Sequence, residues 1–124
     1  MKDLFDISFD ESGVKLTEKL YPIFRLRAFL QGEPTVKIQE IPWHDIVNAY
    51  VYKRDVFTCD LICLMLRTTS GRTMELNEQM EGWQDLIANL PNHLPACRSF
   101  DEWFPEVAFP AFELNLTEIY RKEI

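Results

Sequence analysis

The chain has 124 residues, and 47% hydrophobic residues, 27% charged residues and only four glycines are typical of one folded domain. These values exclude a disordered, collagen-like or low-complexity protein and leave no room for a second full domain. Thirteen Lys and Arg against twenty Asp and Glu give a net charge of −7, which disfavours nucleic acid and anionic membranes as partners and favours a basic partner.

The first two thirds of the chain predict a series of β-strands. Residues 10–13 have turn chemistry between the first two strands, and Pro42, which has no N–H, interrupts the ladder between the third and the fourth. Residues 19–34 have no clear pattern and could form a strand or an irregular insertion. Residues 61–66 have no polar face and predict the central strand. The predicted strands are residues 5–9, 14–17, 35–41, 46–53, 61–66 and 72–76.

An amphipathic helix is predicted after the last of these strands. Asn77 is its expected N-cap, and Pro91 is expected to end it. Trp83 should be buried against the sheet, and Gly82 inside the helix would allow a strand backbone to approach closely. The apolar residues of the predicted buried face are Met80, Trp83, Leu86, Ile87 and Leu90.

The end of the chain is rich in aromatic and apolar residues. The S-x-x-E pattern at residues 99–102 predicts a short turn of helix before Pro105. So apolar a tail is expected to pack on the rest of the protein, because large exposed apolar patches are unusual. We therefore expect a domain over residues 1–95 and a C-terminal extension over residues 96–124 that packs on it.

Several short strands followed by one capping helix resemble a pleckstrin-homology-like domain. The motifs W-x-D-I at 43–46, Y-K-R-D at 52–55, D-x-I-C-L at 60–64 and G-W at 82–83 resemble those of small bacterial proteins with such a domain. Some of those proteins are proposed to be toxin immunity proteins. The resemblance implies an α+β fold, with a pleckstrin-homology-like antiparallel β-barrel or sandwich of six or seven strands, one capping helix and an aromatic C-terminal extension. It implies no catalytic residue.

The candidate binding residues lie on the predicted strand 46–53 and on the connection that follows it. Two tyrosines are expected on the exposed face of this strand, and tyrosine suits interfaces. The charged residues after them could bind a carboxylate or phosphate of a partner, or could pair with one another. The candidate binding residues are Tyr50, Tyr52, Lys53, Arg54, Asp55 and Asp60.

Two further groups of residues allow a functional and a structural interpretation. His44 beside Asp45 could act as a base with its carboxylate, but packing of Trp43 in a turn explains the same residues without catalysis. Cys59 and Cys63 are expected in the core, too far apart on an extended strand for a disulfide. Three cysteines without a C-x-x-C pair predict reduced thiols and no metal site.

We expect a soluble cytoplasmic protein without a cofactor. The acidic N-terminus does not resemble a secretory signal, and the longest apolar run, residues 61–66, is much shorter than the about 20 residues of a membrane-spanning helix. Motifs such as G-x-S-x-G and H-E-x-x-H do not occur, so an enzyme is the least favoured class.

A non-catalytic protein-binding module is the expected function, and the resemblance narrows it to an acidic immunity protein that neutralises a basic toxin domain. The alternative is a self-associating structural protein, which would form a homodimer through an uncovered strand or the aromatic tail.

Overall fold

A computed structural model describes residues 3–20, 35–56, 59–108 and 116–122 of the chain. These residues form an α+β fold of seven antiparallel strands and two helices, with a 3₁₀ turn at Trp43–Asp45. The strands are β1 (Asp3–Phe9), β2 (Gly13–Leu20), β3 (Thr35–Pro42), β4 (Ile46–Val56), β5 (Cys59–Thr68), β6 (Thr73–Asn77) and β7 (Thr117–Arg121); the helices are α1 (Trp83–His93) and α2 (Phe100–Ala108).

The first sheet has the order β1-β2-β3, and its opening hairpin is confirmed. Asp10 determines the turn, because its carboxylate accepts hydrogen bonds from the hydroxyl of Ser12 at 2.6 Å, from the N–H of Ser12 at 2.8 Å and from the N–H of Gly13 at 3.3 Å. These bonds stabilise the charged form and hold the pKa of Asp10 below its usual value. Residues 21–34, most of the segment without a clear pattern, lie outside the described residues.

The chain leaves the first sheet at Pro42, as predicted. The backbone N–H of Trp43 still donates to Ser12 at 3.1 Å, and its indole N–H donates to the carbonyl of Asp10 at 2.7 Å. The 3₁₀ turn then redirects the chain into β4, which belongs to a second sheet of order β6-β5-β4-β7. The described strands therefore form two sheets and no closed barrel, so that, of the barrel or sandwich that the resemblance implied, the barrel is not observed.

Strand β5 lies in the centre of the second sheet, as predicted, between β4 and β6. Cys63, Leu64 and Leu66 have no exposed surface there. The predicted strands end at residue 76, but residues Thr117–Arg121 form a further strand, β7, which pairs with β4. The C-terminal extension thus supplies an edge strand, a long-range pairing that local patterns do not reveal. Residues 109–115 of this extension lie outside the described residues.

Helix α1 begins at Trp83, six residues after the predicted cap. Asn77 instead accepts a hydrogen bond from the N–H of Gln79 at 2.9 Å, in the turn that precedes the helix. The N-cap is Gly82, whose φ of 90° lies in the left-handed region. A Cβ there would overlap the carbonyl oxygen of Ile7, so the expected close approach of a strand backbone is confirmed, at the helix start and not inside the helix.

Both helices continue through a proline that was expected to end them. Pro91 lies inside α1 and Pro105 inside α2. In α2 the residues on both sides of the proline, Trp103 and Val107, are at most 1% exposed. Leu90, directly before Pro91, is likewise 1% exposed. Burial of these side chains offsets the hydrogen bond that each proline removes, an effect that the local sequence pattern does not reveal.

The two sheets and the two helices share one hydrophobic core. Trp83 is buried in it, as expected from its position on the apolar face of α1. Neither helix in the described part of the chain is long and apolar enough to cross a membrane. The largest fully buried side chains are Trp103, Ile41, Ile46, Leu64, Leu66, Met74, Leu76, Leu86, Leu90, Leu94, Ile119 and Val14.

Gly82→Ala is expected to destabilise the protein more than Gly71→Ala. Both glycines have positive φ, 90° and 86°, but a Cβ at Gly71 meets nothing within 4 Å, whereas one at Gly82 overlaps the backbone of β1. The Gly71 variant should lose about 1 kcal/mol, the cost of the left-handed conformation. The Gly82 variant should lose a further 1–3 kcal/mol, roughly, from overpacking. Urea denaturation measures both values, and equal losses would contradict the close contact.

Candidate functional site

The predicted binding residues on β4 divide between the two faces of the second sheet, because side chains alternate along a strand. Tyr50, Tyr52 and Arg54 lie on one face and Lys53 on the other. Tyr52 is 7% exposed and Lys53 3% exposed, so the prediction that both are surface residues is wrong. The side chain of Asp55 lies outside the described residues.

The prediction that the charge cluster, Lys53, Arg54, Asp55 and Asp60, lies on a loop is also wrong. Strand β4 extends to Val56 and β5 begins at Cys59, so the cluster lies at the paired ends of two strands. The backbone of Asp55 pairs with that of Asp60 there. The hairpin is longer than the pattern indicated, because pairing with β5 continues through residues whose side chains are charged.

On the outer face of the second sheet, Tyr52 and Arg54 both contact Glu75 on β6. The Tyr52 hydroxyl donates to one carboxylate oxygen of Glu75, and the Arg54 guanidinium lies 3.0 Å from the other. Burial and the Glu75 carboxylate raise the pKa of Tyr52 well above its usual value. The ring packs with Leu61 and Cys63 in a small second cluster. Tyr52 is therefore a buried packing residue of the second sheet.

On the inner face, Lys53 holds the end of α2 against the second sheet. Its ammonium nitrogen lies 3.5 Å from Asp60 Oδ2 and donates to the carbonyl of Ala108 at 3.0 Å. Ala108 is the last residue of α2, where backbone carbonyls carry partial negative charge and favour a cation. Of the two interpretations of this charge cluster, internal pairing is the one observed for Lys53 and Asp60.

The residues around His44 support the structural interpretation. Trp43 is buried and stacks in parallel on His93, with 4.5 Å between the ring centroids. His44 is exposed and lies 3.3 Å from Asp45, but its side chain extends into solvent. Trp43 thus packs the first sheet against the end of α1. The cysteine prediction holds for Cys63, which is fully buried.

Helices α1 and α2 enclose a groove of about 600 Å³ that the sequence did not reveal. Its described walls are mostly aromatic and aliphatic, with few polar groups. A concave, mostly apolar site with a small number of polar groups is the usual form of a binding site. The apolar lining residues are Ile62, Trp83, Ile87, Ala88, Pro91, Phe100 and Phe104, and the polar ones are Glu78, Gln84, Ser99 and Asp101.

Phe100 is the most exposed aromatic residue of this groove, at 39%. Its ring stacks on Phe104 with 4.7 Å between centroids and meets Trp103 edge-on at 5.1 Å. Trp103 is almost fully buried and contacts both phenylalanine rings, so it holds them in place. The Ser99 carbonyl accepts the backbone N–H groups of Glu102 and Trp103, which starts α2 here and places Phe100 one turn before Phe104.

The charged groups of the groove are carboxylates. Of the described residues that line it, Glu78 and Asp101 are acidic and none is basic. Glu78 also accepts the backbone N–H of Ile62 at 3.2 Å, which holds its side chain at the edge of β5. Apolar walls with two exposed carboxylates suit a ligand that is partly apolar and positively charged.

A local signal for this groove exists in the sequence, but it is incomplete. Phe100 and Phe104 are four residues apart behind a capping pattern, which is typical of one face of a helix. Pro105 suggested that the helix ends too early to form such a face. That α1 lies opposite this face depends on tertiary packing.

Comparisons with protein-family models, with curated proteins and with solved structures find no match to this chain. Within the residues that the structure describes, no group of three or more His, Cys, Asp or Glu side chains could hold a metal ion. The described lining of the groove supplies aromatic surface and two carboxylates.

Lys53→Ala is expected to lower the free energy of unfolding by about 3–5 kcal/mol, because it removes the cation from a buried ion pair. Arg54→Ala is the matched control, since it removes a neighbouring cation that is 55% exposed and should cost at most about 1 kcal/mol. Urea denaturation followed by tryptophan fluorescence compares the two. Similar losses for both variants would show that Lys53 does not hold α2.

Stability is expected to fall in alkaline solution, and Cys63 should contribute to this loss. Burial raises the pKa of Cys63 to about 11, whereas a thiol in the unfolded chain titrates near 8.5, roughly. Between these values the unfolded chain releases a proton that the folded chain retains, so the free energy of unfolding decreases as pH rises. Cys63→Ala should show a shallower decrease over this range in urea denaturation. An unchanged slope would contradict the assignment.

Proposed function

We propose that this chain is a non-catalytic protein-binding module and that the groove between α1 and α2 holds a basic, amphipathic segment of another protein. The observation that carries the proposal is the combination of an exposed aromatic residue, Phe100, with the carboxylates of Glu78 and Asp101 at the same groove. The net charge of −7 also favours a partner whose surface as a whole is basic.

The size of the groove supports a short helix as the ligand. Helix α1 has 11 residues and α2 has 9, so α1 is about 16 Å long and could lie along about three turns of a bound helix. Apolar residues on one face of that helix would cover Phe100 and Phe104. Lysines or arginines beside them would reach Glu78 and Asp101. Aromatic anchors in a desolvated pocket contribute most of the binding energy in such interfaces, and the rim charges contribute specificity and association rate.

We further propose the narrower assignment that the motif resemblance implies, a pleckstrin-homology-like domain that acts as an immunity protein. The element order supports it: three antiparallel strands, a turn, three further strands and then a helix that covers the sheets. Strand β7 and helix α2 are additions to that order. The proposal places the protein in the cytoplasm, in agreement with the free thiols of Cys63 and Cys97.

Binding to the groove is expected to depend on Phe100 and Asp101. The probe is a fluorescently labelled amphipathic helix of Leu and Lys with about 16 residues, of which about 11 would lie along the about 16 Å of α1. Phe100→Ala and Asp101→Lys should each weaken binding at least about tenfold in fluorescence anisotropy, which corresponds to about 1.4 kcal/mol. Glu11→Lys is the control, because it makes the same charge change in the exposed β1–β2 turn.

Three outcomes separate the parts of this proposal. Equal loss in Glu11→Lys and Asp101→Lys would indicate attraction by net charge alone, and unchanged binding of Phe100→Ala would exclude the groove. Co-expression with the product of the adjacent gene tests the immunity function, since the complex should form and growth should recover. Absence of both would exclude that function and leave the binding module in place.

A further inference from the structure

Strand β3 leaves one of its edges open. In the described part of the chain it pairs with β2 alone, and every residue of Thr35–Glu40 is exposed. Val36 is 50% exposed and Ile38 55% exposed, and both are large apolar residues. An edge strand with exposed apolar side chains readily pairs with another strand.

The backbone groups that face this open edge can be assigned. The Arg72 guanidinium donates to the carbonyl oxygen of Glu40 at 2.5 Å, so this carbonyl points away from β2. The N–H of Trp43 points the other way and donates to Ser12 at the end of β2. Because backbone groups alternate in direction along a strand, the N–H and C=O of Ile38 point away from β2, as those of Glu40 do.

The opposite edge of the first sheet is occupied. The N–H of Ile7 on β1 donates to the carbonyl of Glu81 at 2.7 Å, and the N–H of Glu81 donates to the carbonyl of Phe5 at 3.2 Å. The turn before α1 therefore covers part of β1. Within the described residues, β3 therefore offers free backbone groups at Ile38, while Arg72 occupies the carbonyl of Glu40 at the end of the same edge.

We propose that β3 pairs with β3 of a second copy of this chain, antiparallel and about a twofold axis at Ile38. The two first sheets then form one continuous sheet of six strands. Ile38 exchanges two backbone hydrogen bonds with its copy, because both of its backbone groups face the partner. This interface lies on a different element from the groove, so it does not rest on the proposed function.

The side chains select this register and a second copy as the partner. A twofold antiparallel pair places one residue opposite itself. With Lys37 at the axis, two like charges are opposed, and with Gln39 at the axis, Ile38 lies opposite Glu40. With Ile38 at the axis, isoleucine packs on isoleucine, Lys37 lies opposite Gln39 of the copy, Val36 lies opposite Glu40 further from the axis, and no like charges are opposed. Of these three registers, the one with Ile38 at the axis is therefore the one that opposes the two isoleucines without opposing like charges.

Cysteine cross-linking tests the register. The background variant is Cys59→Ser, because the side chain of Cys59 lies outside the described residues, whereas the other two cysteines, Cys63 and Cys97, are buried. Opposed residues of a hydrogen-bonded pair have Cα atoms about 5.5 Å apart, within the reach of a disulfide, so Ile38→Cys should form a disulfide-linked dimer under mild oxidation. Lys37→Cys is the matched control on the same strand. Its copies would be offset by two residues, about 8 Å apart, and should not cross-link. Equal cross-linking of both variants would overturn the register.

Sedimentation equilibrium tests the interface itself. The wild-type chain should dimerise as its concentration rises to about 300 µM, and Ile38→Pro should raise the dissociation constant at least about tenfold. Proline at this position removes an N–H that faces the partner and no hydrogen bond to β2, so the fold should persist, which circular dichroism checks. Ile38→Lys opposes two ammonium groups and should have the same effect. A wild-type chain that remains monomeric throughout overturns the proposal.

Discussion

The contact between β1 and the start of α1 determines the arrangement of the other elements. Glu81 exchanges backbone hydrogen bonds with Phe5 and Ile7, and Gly82 then turns the chain with a φ that only glycine adopts without strain. Trp83 follows directly and is buried in the core. The first hairpin therefore fixes the position of α1, and α1 forms one wall of the groove. A side chain at Gly82 would overlap the backbone of β1 and force α1 away from the first hairpin.

The buried polar residues of the second sheet serve the fold. Glu75 takes contacts from Tyr52 and Arg54 on one face, while Lys53 holds the end of α2 on the other. The two surfaces for which we propose partners lie elsewhere: the α1–α2 groove with its carboxylates, and the edge of β3 that faces away from β2. Each has a different chemistry, since the groove favours a cationic amphipathic ligand and the strand edge favours another strand.

Local patterns predicted the elements whose periodicity is strong. The opening hairpin, the central strand and the buried face around Trp83 have apolar residues at the spacing of a strand or of a helix. The same patterns failed at Pro91 and Pro105, because local sequence cannot weigh a lost hydrogen bond against burial of the flanking side chains. They failed for Tyr52 and Lys53 because exposure depends on which residues of other strands lie beside them.

Composition and local patterns were sufficient to predict the α+β class, the acidic charge and most of the strands, since these follow from residue content and from contacts between near neighbours in the chain. Three features became visible only in the folded chain: β7 pairs with β4, Lys53 is buried against the end of α2, and Phe100 faces α1 across a groove. Each of these depends on residues far apart in the chain. Their approach depends on the free energy of the whole core, to which no single segment carries a sufficient signal.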